Sequence, residues 1–130
     1  MDSNKVLVVF DYDWSLINTN SDTYVVEALG PELYPLFREY RDQGLGWTAT
    51  MDAIMGKLHE RGVTPDQIRE ALAAVPVQEG MLEAAALAAE RGVALAIVSD
   101  ANEVFIDAFL ERRALRGLFA EVHTNRAAYE

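Results

Sequence analysis

Lys5-Val6-Leu7-Val8-Val9-Phe10, followed at once by Asp11-Tyr12-Asp13-Trp14-Ser15, is the stretch that decides the fold. KVLVVF is a β-branched apolar run without alternation, which suits a strand buried on both faces of a parallel sheet. It stops abruptly at Asp11, and Asp13 follows one residue on. In open α/β sheets, ligands bind outside the carboxyl ends of the strands. Two acidic side chains at such an end need a reason to be there.

Downstream, helical signals follow one another. Ser21 is the expected N-cap of a helix through Tyr24, Val25, Val26 and Leu29, with Gly30 as its stop. Leu33, Leu36, Phe37 and Tyr40 fall at amphipathic spacing, as do Met51, Ile54, Met55 and Leu58. Gly44 and Gly46 separate the two sets and Gly62 closes the second. Thr64-Pro65-Asp66-Gln67 has the form of a capping box with proline at the first helical position, and its helix should stop before Pro76. Residues 21–75 are therefore expected to form a helical lobe. Beyond it come an Ala-rich helix over Met81 to Arg91 and a second apolar strand over Val93 to Val98. A helix marked by Val104, Phe105, Ala108 and Phe109 follows, then a short strand over Phe119 to His123. The predicted fold class is α/β: a partial Rossmann-like parallel sheet from residues 1–20 and 76–130, with a helical cap of residues 21–75 inserted after the first strand.

Composition narrows the function classes. The 130 residues carry a formal charge of −10, which argues against a nucleic-acid partner. With no cysteine, disulfides and thiolate zinc sites are excluded. The Val6–Phe10 run is too short for a signal peptide or a membrane span, so a cytoplasmic protein is expected. His59 and His123 have no partner at metal-ligand spacing. Oligomeric state is not encoded in any pattern.

Two constellations could carry chemistry. In the first, one carboxylate of Asp11 and Asp13 could attack phosphorus to form an aspartyl-phosphate. The other could protonate the leaving oxygen and then activate water. A Mg²⁺ between them and the phosphate would let both charges coexist. A plain polar loop after a strand is the simpler alternative. Asp11, Asp13, Ser15 and Asp22 also match four ligand positions of a calcium loop, but Leu16 stands where that loop needs glycine, and a strand precedes it. The second constellation is Ser99-Asp100-Ala101-Asn102 after the second strand. Ser99 Oγ and nearby backbone N–H groups could hold phosphate oxygens at a helix N-terminus. Any of Ser99, Asp100 and Asn102 could instead simply cap that helix. The two constellations would converge at the strand ends of one sheet.

A hydrophobic strand, DxDx[ST], a helical insert and then hydrophobic-Ser-Asp together resemble the haloacid dehalogenase superfamily. FDYDWSLINTNSD, WTATMDAIMGKLHERG, IVSDAN and LFAEVHTN resemble, within it, the phosphoethanolamine/phosphocholine phosphatase family with its pyridoxal phosphate phosphatase-like members. The resemblance implies a magnesium-dependent phosphatase acting on a small phosphorylated metabolite. Asp11 would be nucleophile and metal ligand, and Asp13 general acid/base, lending the metal its backbone carbonyl. Asp22 and Asp100 would contact substrate and Ser99 would bind phosphate. The cap would close over the site and exclude water. Trp47, Met51 and Met55 would line its inner face or, as ordinary helix core, merely fill it.

The resemblance also implies a lysine against the phosphate and a later acidic cluster for the metal. The lysines are Lys5 and Lys57, both before the second motif, and no Asp follows Asp107. The chain therefore resembles the N-terminal portion of such a phosphatase, and a binding module without turnover is the alternative function. The first strand would then be an exposed apolar edge. Trp14, in the nucleophile loop, and Arg126, after Asn125, depart from the residues usual in the family.

Overall fold

The computed structural model describes residues 5–129. Strand β1 (Leu7–Phe10) leads through the acidic loop into four helices: α1 (Ser21–Leu29), α2 (Leu36–Asp42), α3 (Trp47–Glu60) and α4 (Pro65–Ala73). A 3₁₀ turn at Pro31–Leu33 links the first two. Then come α5 (Glu79–Glu90), β2 (Ala94–Asn102), α6 (Glu103–Arg112) and β3 (Glu121–Asn125).

The local chemistry explains most boundaries. Thr64 closes its capping box: its hydroxyl accepts from Gln67 N–H at 3.2 Å, and Gln67 Oε1 accepts from Thr64 N–H at 2.8 Å. Gly62 takes φ +86°, the left-handed turn that lets the chain leave α3. Two caps differ from expectation. Asn20, not Ser21, caps α1, its Oδ1 accepting from Thr23 N–H at 3.0 Å. Asn102 caps α6 by accepting from Phe105 N–H at 2.9 Å, so β2 runs four residues past Val98 before the helix begins.

The three strands are parallel in the order β1-β2-β3. Leu7 pairs with Ala94 and Phe10 with Ile97, while Ile97 also pairs with Val122. Strand alternation then sorts the side chains. Val8, Phe10, Leu95, Ile97 and Val122 point to the face on which α5 and α6 both pack, through Leu82, Ala85, Ile106, Phe109 and Leu110. Leu7, Val9 and Val98 point to the opposite face, where each is half exposed. The expectation that KVLVVF is buried on both faces thus fails on one of them: among the described residues, no helix covers that side.

A second apolar cluster joins Val25, Val26, Leu33, Phe37, Ile54, Leu58, Ile68 and Leu72 of the helical stretch to Phe105 and Ala108 of α6. The insert is therefore seated on α6, where Arg112 also pairs with Glu70 at 2.8 Å. Its two ends meet in one antiparallel bridge between Ile17 and Val77. Asn18 N–H donates to Pro76 O at 2.8 Å and Gln78 N–H to Leu16 O at 3.0 Å. No described helix is long and apolar enough to cross a membrane.

Candidate active site

The loop after β1 is wound tightly about one carbonyl. Tyr12 O accepts from the N–H groups of Ser15, Leu16 and Ile17 within 3.2 Å, and Trp14 N–H donates to Thr19 O at 3.0 Å. Tyr12 is fully buried, its ring edge-on to Phe109 at 5.5 Å, and this anchors the loop from below. Burial, with Asp13 and Asp22 nearby, keeps the Tyr12 phenol protonated far above its ordinary range. The alternation around this anchor leaves Asp11 exposed and Asp13 half-buried.

Each carboxylate has its own setting. Asp11 Oδ1 accepts from Tyr12 N–H at 2.6 Å. Asp13 Oδ1 accepts from Ser21 N–H at 2.8 Å, and Asn20 Nδ2 approaches its Oδ2 at 3.5 Å, so the first turn of α1 holds this side chain. Burial raises the Asp13 pKa; the hydrogen bonds from Ser21 oppose this, and the charges of Asp100 and Asp11 reinforce it. Asp22, one residue into the same helix turn, is only 5% exposed. Its pKa is pushed up to about 6, first by burial and then by the charges of Asp13 and Asp100, against a hydrogen bond from Trp47.

Asp11, Asp13, Asp22 and Asp100 thus share one electrostatic neighbourhood at the carboxyl ends of β1 and β2. Asp100 is exposed, and its carbonyl accepts from Asn125 Nδ2 at 2.9 Å. Ser99 sits beside it, half-buried, its Oγ accepting from Ala101 N–H at 3.1 Å. Ser99 lies three residues before the cap of α6, because β2 continues to Asn102. Met51 and Met55 pack against the helical cluster as core. Trp47 stacks on Phe37 of that cluster and does something more: its indole Nε1–H donates to Asp22 Oδ2 at 2.6 Å. That role, and those of Asn20 and Ser21 in holding Asp13, were not anticipated. The string Asn18-Thr19-Asn20-Ser21-Asp22, dense in cap formers and beginning five residues after Asp13, was the only signal for the latter.

The donor set is one of hard oxygens: the Asp11 carboxylate, the Asp13 carbonyl and the carboxylates around them. Magnesium takes one or two protein carboxylates and leaves its other positions to water and phosphate, so these residues fit it as a partial shell. Among the described residues, no three His, Asp or Glu side chains are grouped closely enough to enclose a metal by themselves.

The family described as Putative Phosphatase matches residues 6–130 of this chain. A thiamine phosphate phosphatase-like protein of Arabidopsis thaliana is 37% identical over 121 residues, 93% of this chain and 48% of that protein. Inorganic pyrophosphatase 2 of the same plant is 33% identical over 123 residues, covering 95% and 43%. Pyridoxal phosphate phosphatase PHOSPHO2 of Mus musculus is 34% identical over 130 residues, covering 97% and 53%. The chain spans about half the length of these curated relatives. Among solved structures, a HAD family hydrolase from Salmonella enterica serovar Typhi superposes with a TM-score of 0.71 at 16% identity, over 95% of this chain and 41% of that one. A phospho-aspartyl intermediate analogue of phosphoserine phosphatase gives 0.64 at 18% identity, over 97% and 58%. These likenesses show the fold: the α/β, Rossmann-like architecture of the HAD hydrolases.

Proposed function

This chain belongs to the Putative Phosphatase family, within the HAD hydrolases, and from that membership we propose that it carries the reaction centre of a magnesium-dependent phosphatase working through an aspartyl-phosphate on Asp11. The observation that carries the proposal is the split in setting between two carboxylates one residue apart. Asp11 stands exposed at the end of β1, where a phosphorus atom can approach it. Asp13 is held by α1, where burial raises its pKa above the ordinary carboxylate value against the hydrogen bond from Ser21. Divergent environments for paired carboxylates are how one loop obtains both a nucleophile and an acid.

In the first half-reaction an Asp11 carboxylate oxygen bonds to phosphorus as the bond to the leaving oxygen breaks. The Asp13 proton passes to that oxygen, so a neutral alcohol departs. In the second, Asp13 takes a proton from water as the water oxygen bonds to phosphorus. The acyl-phosphate bond breaks, inorganic phosphate leaves and the Asp11 carboxylate is restored. Magnesium, when bound to the Asp11 carboxylate and the Asp13 carbonyl, supplies positive charge that offsets the phosphate. Ser99 Oγ and Asp100 stand at the neighbouring strand end as phosphate and substrate contacts, and Asp22 meets the remainder of the substrate. The substrate is a small phosphomonoester acted on in the cytoplasm, with phosphoethanolamine, phosphocholine and pyridoxal phosphate the candidates. One of the relatives is an inorganic pyrophosphatase, so the panel to be tried includes pyrophosphate.

The test is phosphate release from this panel with and without Mg²⁺. Asp11→Asn is expected to reduce any magnesium-dependent release at least about a thousandfold, as loss of a covalent nucleophile does. Full activity in that variant refutes the nucleophile assignment. One observation favours a second outcome: the lysines are Lys5, before β1, and Lys57, in α3, and neither stands in a loop at a strand's carboxyl end. Calorimetric binding of Mg²⁺ and phosphate without turnover would make the chain a binding module.

A further inference from the structure

Trp47 is the first residue of α3, and the residue is 49% exposed. The ring stacks on Phe37 with centroids 5.3 Å apart and planes 18° from parallel. It also borders an open cleft of about 590 Å³ shared with Tyr34, Arg38 and Arg41. Packing thus fixes the indole on one side only. What remains to orient it is the hydrogen bond from Nε1–H to Asp22 Oδ2 at 2.6 Å. The same bond orients Asp22, a buried carboxylate whose Oδ1 accepts no hydrogen bond among the described residues. Asp22 has no Lys or Arg partner among the described ion pairs either. A carboxylate so placed is free to rotate about its last bond unless one oxygen is held.

We propose that Trp47 is a positioning residue: its indole N–H fixes Asp22 and so presents Asp22 Oδ1 as the acceptor for a donor group on the substrate beyond its phosphate. The inference rests on the proposed role of Asp22 as a substrate contact. Trp47 acts through Asp22, and its aromatic neighbours hold the donor in place. Phenylalanine at this position retains an aromatic ring to stack on Phe37 and lacks the donor, so Trp47→Phe tests the hydrogen bond with most of the packing kept.

The experiment has a spectroscopic arm and a binding arm. In the ¹H–¹⁵N spectrum, the Trp47 indole signal, assigned by its loss in Trp47→Phe, is expected well downfield and is expected to move upfield in Asp22→Asn, where the acceptor loses its charge. For binding, calorimetry with Mg²⁺ and pyridoxine 5′-phosphate (an alcohol, unable to form a Schiff base with lysine) is run on the Asp11→Asn background, where no turnover occurs. Trp47→Phe and Asp22→Asn are each expected to weaken binding about tenfold, and the double variant no further than either alone. An indole signal indifferent to Asp22→Asn overturns the proposal. So do unchanged affinity in Trp47→Phe, effects that multiply toward a hundredfold, or no measurable binding in the parent. Failure of the unmodified chain to release phosphate, with the expected spectra and binding cycle intact, removes the proposed catalysis and leaves the Trp47–Asp22 assignment standing.

Discussion

Trp14 lies in the acidic loop after β1 at φ 59°, in the left-handed region that a side chain other than glycine or asparagine adopts at a cost of roughly 1 kcal/mol. Its side chain is 64% exposed, so little packing repays that cost. Trp14→Asn is expected to raise stability by about 0.5–1 kcal/mol in urea unfolding, with the Trp14 N–H to Thr19 O bond retained. The sequence marked Trp14 as odd for its family but could not say why, because a positive φ leaves no trace in residue order. Asp22 is the other residue whose setting is costly. The unfolded chain releases this proton near pH 4 and the folded chain near 6, so the native state binds more protons in that window. Stability from this group is therefore full below about pH 4 and is lost as pH rises through 6, a cost of about 2–3 kcal/mol at pH 8. Asp22→Asn is expected to be more stable than the parent at pH 8 by up to that amount, with the difference vanishing near pH 4 in unfolding curves taken across the range. The approach of Asp22 to Trp47, twenty-five residues away, was invisible to spacing rules, since those follow a single helix and this contact joins two.

At the scale of elements, the legible parts were those with local causes. The capping box of α4 is one, and Thr64→Ala is expected to cost about 1 kcal/mol of global stability while leaving the acidic loop untouched. Gly62 and the amphipathic rows of α3 are others. Boundaries that depended on tertiary pairing were misplaced. The second strand was expected to end at Val98, because Ser, Asp and Asn are cap formers. It runs on to Asn102, which still pairs with Asn125 after a register shift. Competition between a ladder hydrogen bond and a side-chain cap is decided by where the neighbouring strand lies, which composition does not record. Asn20 is the cap of α1 in place of Ser21: its Oδ1 takes the Thr23 N–H, and Ser21 stands one residue inside the helix with its own N–H given to Asp13.

For the whole molecule, the parallel sheet and the insertion of helices after β1 were readable from the succession of apolar runs and turn signals, while the strand order β1-β2-β3 came from the structure. The uncovered side of the sheet was not, because an apolar strand reads alike whether one face or two are covered. β1 has one strand neighbour among the described residues, and Leu7 and Val9 stand more than half exposed beside Val98. Such an edge invites association. The chain is expected to self-associate with rising concentration in light scattering, and Val9→Lys to suppress this without lowering the unfolding midpoint by more than a few degrees. The bridge between Ile17 and Val77 has a wider consequence. The polypeptide departs for the helices and comes home at adjacent points, so the length of that excursion adds to the closure cost of the sheet only logarithmically. Evolution can lengthen or shorten the helical stretch between those two residues while keeping the contacts that seat it on α6 and hold Asp13. Such a lineage reshapes what faces the Asp11–Asp13 loop without shifting the strand that carries it.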